Sequence, residues 1–329
     1  MDVALTCPSC RARGPLERGG DGTSLVCGSC GTRYALVDGI PMMLSPRHGH
    51  EGPAPTHKES QARFTDQEAD AEWEINRPHG APALYTWLLE EKFRLSVRGL
   101  RALPRGSTVL TVCGGSGLDA EFLARRGFRV VSADISLEAA RRVRERARRF
   151  GVEITPVVAD AETLPFPDRS FDVVYVHDGL HHLEDPAVGL LEMARVAARG
   201  VSVNEPARAA VTALAVHLGL ALEREEAGNR VARLTIAEVR DLLAKNGFRT
   251  VEARRFAMYY QHVPGRAMRA LSHGIALWAA KAAFTILNRV LGGLGNKLSV
   301  QAVREPRSVS AGDGDGREAQ LRSDVGGSL

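Results

Sequence analysis

The chain has 329 residues, 44% of them hydrophobic and 25% charged, enough to bury one large domain with a smaller attachment. A formal net charge of +4 excludes a globally basic nucleic-acid binder and a strongly acidic surface, so any partner must be argued from local patches. The first residues, MDVALTCPSC, lack the basic start and apolar stretch of a secretion signal, and a reducing, cytoplasmic setting is the expectation that follows.

Four of the five cysteines form two Cys-x2-Cys pairs, Cys7 with Cys10 and Cys27 with Cys30. In a reducing compartment this spacing lets two short turns offer four thiolates tetrahedrally to zinc. Four thiolates leave no open position for water, so the expected metal role is structural. Residues 1–44 are therefore read as a zinc ribbon that closes in YALVDGIPMML, a strand pair turning at Asp38-Gly39. The next stretch, SPRHGHEGPAPTHKES, is rich in Pro, Gly and His without an apolar period, and residues 45–63 are expected to be a flexible linker between two folding units.

Over residues 64–104 the apolar spacing of Trp87, Leu88, Phe93, Leu95 and Leu100 predicts one or two helices packed on the following domain. Within them Arg77, His79 and Tyr85 are candidates for a lid. Strand and helix patterns then alternate: STVLTVCG, DAEFLARRG, RVVSADI, LEAARRVRERARRFG, ITPVVAD and FDVVYVHD. That order predicts a parallel, doubly wound α/β sheet over residues 105–305. The six arginines of LEAARRVRERARRF are read as a solvated outer face. Two apolar stretches, ARAAVTALAVHLGLALE and GRAMRALSHGIALWAAKAAFTILNRVLGGLG, interrupt the alternation. They either roof a greasy acceptor at the active edge or complete the core or a dimer contact. Neither reads as a membrane span; contact with a membrane surface is compatible with both. Residues 306–329 are polar and glycine-rich and are expected to be disordered.

In a parallel sheet, ligands collect at the carboxyl ends of the strands. Cys113, Gly114, Gly115 and Gly117 form a turn after the first such strand, Asp134 and Ile135 end the second, and Asp160 and Ala161 end the third. Asp134 is placed to accept two ribose hydroxyls and Asp160 to face an adenine amino group.

These motifs resemble the class I S-adenosylmethionine-dependent methyltransferases, in particular the group acting on small molecules, quinones and sterols. The resemblance runs from about Val109 to Arg304, and ADAETLPFPDRSFDVVYVHDGLHHLEDP carries its most specific part. It implies a Rossmann-like seven-stranded methyltransferase sheet, with Gly115 and Gly117 under the methionine part of S-adenosyl-L-methionine. Asp134 would then bind ribose, Asp160 and Ala161 adenine, and His177 would line the methionine end. Cys113 departs from the pattern, standing where the family usually has a glycine, and is read as inert packing. The protein has mainly to align an acceptor and, for oxygen or nitrogen, take a proton. His182, His181 and Glu205 are the candidate bases.

The preferred acceptor is a small, apolar or lipid-like molecule. YALVDGIPMML also resembles the small zinc-ribbon activator of RNA and protein methyltransferases, and the alternative is a ribosomal or transfer RNA base methyltransferase reading RNA through the ribbon. Against it, residues 1–44 carry nearly balanced charge and only Tyr34 as an aromatic. A second alternative is a non-catalytic S-adenosylmethionine-binding protein.

Overall fold

A computed structural model describes residues 3–11, 14, 16–45, 57–67, 70–100, 103–208 and 234–306. Strands β5 (Thr108–Val112), β6 (Arg129–Asp134), β7 (Ile154–Ala159), β8 (Phe171–His177) and β9 (Ala197–Pro206) lie parallel. Beyond β9, strands β10 (Phe248–Phe256) and β11 (Lys297–Arg304) complete the sheet antiparallel, in the order β7-β6-β5-β8-β9-β11-β10. The alternation predicts the parallel, doubly wound part of this sheet, and the family resemblance implies its seven strands. The parallel strands are near-continuous apolar runs because helices cover both faces, and Leu110, Val131, Val157, Val174 and Val203 are wholly buried.

Helices α4 (Leu118–Arg125), α5 (Leu137–Phe150), α6 (Pro186–Val196) and α7 (Ile236–Lys245) are the crossover helices. Local chemistry fixes their ends. Ser136 caps α5 by accepting from the Ala139 amide at 2.9 Å, and Gly151 ends it in the left-handed conformation. Asp185 caps α6 ahead of Pro186, and Thr235 with Glu238 forms a capping box on α7. Helices α1 (His57–Asp66), α2 (Ala71–Asn76) and α3 (Ala83–Ser96) precede the sheet, and α8 (Arg266–Ala270) and α9 (Gly274–Leu291) lie between β10 and β11.

The cysteine module forms β1 (Leu16–Arg18), β2 (Ser24–Cys27), β3 (Arg33–Val37) and β4 (Ile40–Met43), an antiparallel meander. Its last strand pairs in parallel with β7, Met42 opposite Val158 and Met43 opposite Ala159, so all eleven strands form one sheet. Cys7, Cys27, Tyr34 and Met43 belong to the same buried cluster as Val157, Leu164 and Phe166. Two folding units were expected; the ribbon instead shares a core with the large sheet.

Other expectations change as well. Helix α1 begins at His57, inside the stretch read as linker. The arginine helix is not wholly solvated: Arg146 is fully buried, donating to Ser116 O at 2.8 Å, Arg77 O at 2.9 Å and Glu121 Oε2 at 2.8 Å. It ties α5 to α2 and α4 because one guanidinium can satisfy several acceptors at once. The central part of the linker, most of the first apolar insert and the terminal tail lie outside the described residues.

Candidate active site

The turn after β5 is shaped by backbone demands that its residues meet unequally. Cys113, Gly115 and Gly117 all have positive φ, at 53°, 51° and 80°. A Cβ on Gly114 would lie 2.2 Å from Ser132 Oγ. The glycine expected at position 113 is therefore a conformational preference, and the cysteine there pays a left-handed penalty. Gly179, after β8, accommodates it: a Cβ on Gly179 would sit 2.4 Å from the Cys113 Cβ. Burial, with Asp134 beside it, pushes the Cys113 thiol well above its ordinary range, which agrees with inert packing.

Asp134 orders the turn from the next strand. Its Oδ2 accepts from the Gly115 amide at 2.8 Å and its Oδ1 from the Ser136 amide at 3.0 Å. Burial pushes this carboxyl upward while those two amides pull it back. Around it lies a cavity of about 220 Å³, lined by Cys113, Gly115, Asp134, Ile135, Asp160 and Ala161 among others. Helix α1 covers this cavity: Lys58 Nζ reaches Asp160 Oδ2 at 2.7 Å and pairs with Glu162, and His57 Nε2 lies 2.7 Å from the His182 carbonyl. The covering element is thus α1 rather than the expected lid residues. Of those, Arg77 lines the second cavity, His79 is bound to Glu121 at 2.8 Å, and Tyr85 donates to the His262 carbonyl at 2.9 Å.

That second cavity, about 530 Å³, lies across the turn and shares Val112, Cys113, Gly115 and Asp178 with the first. His177 lines it, bound to Asp119 Oδ2 and to Tyr175 Oη, each at 3.1 Å. At the junction, Asp178 meets Lys92 at 3.0 Å and Lys297 at 2.6 Å, and Lys92 donates to Tyr260 Oη at 2.8 Å. Burial works against ionisation of Asp178, but the two ammonium groups outweigh it and hold the carboxyl well below its usual range. Like Cys113, Asp178 is left-handed, at φ 51°, so two strained residues flank the site.

The other expected residues divide. His182 lines the first cavity and Gly114 the second, whereas Gly117 lines neither and caps the start of α4, where an added Cβ would lie 3.1 Å from Val143 Cγ2 of α5. His181 and Glu205 line neither cavity. They are bound to each other, Nδ1 to Oε2, at 2.7 Å, and Glu205 also accepts from the amides of Gly179 at 2.9 Å and Leu180 at 2.8 Å. A buried carboxylate with this many donors anchors the loop after β8 and has no free face for an acceptor. The cluster of Lys92, Asp178, Tyr260 and Lys297 was missed, although Asp178 directly follows β8, and the same strand-end argument reaches it.

In the ribbon, Cys7 Sγ lies 3.7 Å from Cys30 Sγ and Cys10 Sγ 3.6 Å from Cys27 Sγ, with all four sulfurs within 4.8 Å of one another. Tetrahedral zinc–thiolate bonds of about 2.3 Å place sulfurs about 3.8 Å apart, so the donor set fits that ion. The two turns match: the Arg11 amide donates to Cys7 O and the Gly31 amide to Cys27 O, each from a left-handed residue. The Thr32 hydroxyl and amide lower the Cys30 thiol to about 6, toward the thiolate that binds metal.

Residues 110–203, which hold the glycine turn, both strand-end aspartates and the Asp178 loop, match the family model described as a methyltransferase domain. That segment carries a methyltransferase domain. Over 113 residues this chain is 40% identical to the ubiquinone/menaquinone biosynthesis C-methyltransferase UbiE of Enterobacter sp. (strain 638), an alignment that covers 33% of this chain and 44% of that protein. The UbiE of Escherichia coli K12 is 39% identical over the same length. The chain therefore spans less than half the length of these curated relatives. Among solved structures, magnesium protoporphyrin IX methyltransferase of Synechocystis PCC 6803, with bound SAH, superposes with a TM-score of 0.53 at 17% identity, over 76% of this chain and 100% of that one. The cyclase SpnF superposes with a TM-score of 0.52 at 18% identity, over 76% and 97%. At such identities the likeness is one of fold.

Proposed function

We propose that this protein transfers a methyl group from S-adenosylmethionine to a small amphipathic acceptor, with a structural zinc in its ribbon. The observation that carries this reading is the pair of cavities joined across one glycine turn, acidic at the adenosine end and lined at the other by phenols and by paired cations and carboxylates. Bound S-adenosylmethionine supplies a methyl group on a sulfonium, activated toward any correctly aligned nucleophile. The chain's residues then have three tasks. Asp134 accepts the ribose hydroxyls with the oxygen lone pairs that the Gly115 and Ser136 amides leave free, and Asp160 accepts the adenine amino group once Lys58 gives way. Helix α1 excludes water from the cavity it covers. The third task is to receive the acceptor's proton; His182 is the proposed base, reached by an acceptor that extends from the second cavity past the shared Asp178 to the wall of the first, and His181 with Glu205 holds the loop that positions it.

The acceptor's polar end faces Lys92, Lys297 and Tyr260, which suits a hydroxyl or carbonyl oxygen, and Met258 and Tyr259 supply an apolar wall. The quinone C-methyltransferase relatives support an acceptor of this type. The test incubates the full chain with methyl-labelled S-adenosylmethionine and cell extract, followed by separation into RNA, protein and organic-extractable fractions. Label in the organic fraction, lost in Asp134→Ala, is expected. Label in RNA would replace this assignment with the base-methylating one, and saturable cofactor binding without any transfer would leave a cofactor-binding protein.

A further inference from the structure

Helix α9 is amphipathic in the reverse of the usual sense. Its inner face is fastened to the domain: Phe284 packs edge-on against Trp87 at 5.3 Å between centroids, Lys281 lies 5.4 Å from the Trp87 ring centre, and Asn288 bonds both the amide and the carbonyl of Ala257, at 2.7 and 3.0 Å. Its outer face is apolar, with Ile275, Trp278, Ile286 and Val290 following one another at helical spacing and exposed Leu294 in the turn just beyond. Ile275 is 85% exposed and Trp278 72%, and no residue of α9 is buried among the described residues. Water gains nothing from such a stripe, and monomeric proteins rarely leave one bare.

Charge selects the occupant. Between Glu252 and Glu305 there is no Asp or Glu, while α8, just ahead of the helix, carries exposed Arg266 and Arg269 and α9 itself carries exposed Arg289, in a chain whose 43 cationic and 39 acidic residues are otherwise near balance. Over Gly274–Leu294 the segment is long and apolar enough to cross a membrane, with a mean hydropathy of 1.2. The Asn288 and Phe284 contacts, however, hold it against α3 and the segment just after β10, and crossing would break them. An apolar face rimmed by cations and lacking acids is the surface that seats at the headgroup–acyl boundary of an anionic bilayer.

We infer that α9 docks this protein flat on an anionic membrane surface, with Trp278 and Ile286 inserted and Arg266 and Arg269 among the lipid phosphates. Asn288 and Asn296 join the α9–β11 region to Ala257 and Met258, and Met258 lines the second cavity, so the docked face adjoins the proposed acceptor site. The inference does not depend on the transferase reading, and its test needs no turnover.

The full chain is sedimented with sucrose-loaded vesicles of phosphatidylcholine alone and of phosphatidylcholine with phosphatidylglycerol, at low and at physiological salt. Binding is expected to the mixed vesicles and to weaken with salt. Arg266→Gln with Arg269→Gln should reduce it about 25-fold, from roughly fivefold for each cation lost near an anionic surface. Trp278→Ser with Ile286→Ser should reduce it by more than about tenfold on the apolar area withdrawn. Both positions are exposed, so circular dichroism and cofactor affinity should match the parent. No sedimentation with either vesicle overturns the inference, as does binding that survives both double variants. So does a parent that is dimeric and ignores vesicles while the Trp278→Ser, Ile286→Ser variant is monomeric, because the stripe is then a self-association face.

Discussion

Cys113 and Gly179 should be energetically coupled, and a double-mutant cycle measures it. A Cβ added at Gly179 would lie 2.4 Å from the Cys113 Cβ and 3.1 Å from its Sγ, about 1 Å inside ordinary contact for the closer pair. Cys113 has little room to retreat: the next amide, Gly114, donates to Ala133 O at 3.0 Å, and Gly114 itself lies tight against Ser132. Gly179→Ala should therefore cost about 2 kcal/mol, within the range for overpacking a core. Cys113→Gly alone removes about 1–2 kcal/mol of left-handed strain and gives back a similar amount in unfolded-chain entropy and lost packing, so it should stay within about 1 kcal/mol of the parent. In the double variant the added methyl group meets no Cβ and keeps only a 3.1 Å contact with Val176 Cγ2, so most of the cost of Gly179→Ala should be recovered, a coupling of about 1–2 kcal/mol. Urea unfolding of the four proteins gives the stabilities, and titration calorimetry with S-adenosylmethionine reports the turn itself, with affinity following the same pattern. A double variant as unstable as Gly179→Ala alone would refute the claim that the cysteine sets the need for glycine at 179.

Asp134→Ala should weaken S-adenosylmethionine binding about 10- to 150-fold, the loss of charged hydrogen bonds worth about 1.5–3 kcal/mol, as read by calorimetry; unchanged affinity would move the site elsewhere. Stripping metal with a chelator, or Cys7→Ser, should lower the thermal midpoint of the whole chain, because Met43 and Tyr34 are buried in the sheet's own core and uncovering them costs about 5 kcal/mol. Scanning calorimetry should show one transition that moves, and two independent transitions would mean that the ribbon and the sheet fold separately. The Glu74 carboxyl is pushed up by burial, but hydrogen bonds from His262 and Ser116 and the charge of Arg77 prevail and hold it at about 2, against an ordinary 4.5. A depressed carboxyl stabilises fully above its unfolded value, so this contribution of about 3 kcal/mol should be present at pH 5 and fade as pH falls from about 4.5 toward 2. Glu74→Gln should flatten the fall of the thermal midpoint in that window.

Strands β5 to β8 were legible because strands buried on both faces must be written as apolar runs, and glycine and aspartate at their ends are read in one dimension; β9 to β11 came from the family resemblance. The zinc-type cysteine turns were legible for the same reason: each pair lies within four residues. What escaped depends on long-range placement. Lys92 and Asp178 are 86 residues apart and Lys297 a further 119, and no local period announces that three segments meet at one carboxylate. Helix α1, HKESQARFTD, carries no apolar stripe because much of its inner face makes polar contacts, through His57 and Lys58. Glu205 had the residue type of a base and the position of one; only its four hydrogen bonds reveal an anchor.

The pairing of β4 with β7 bears on what the ribbon can do. Along the sheet the sequence is β4, β7, β6, β5, β8, β9, β11, so the ribbon's last strand and the strand that carries Lys297 are six steps apart, or roughly 29 Å at 4.8 Å per step. The ribbon borders the end of the sheet where Asp160 and Ala161 meet the first cavity, while Lys92, Tyr260 and Lys297 line the second toward the other end. A substrate reader belongs beside the acceptor; a module beside Asp160 acts first on the strand that presents it. Ala161 and Leu164 share a buried cluster with Cys7, Cys27 and Met43, and the Thr6 amide donates to the Pro165 carbonyl at 2.9 Å. Metal in the four-sulfur site would thereby brace the segment from Asp160 to Phe166. On this argument the ribbon's influence on the reaction runs through the adenosine end of the cofactor site, and chelation should raise the dissociation constant for S-adenosylmethionine before it alters the choice of acceptor.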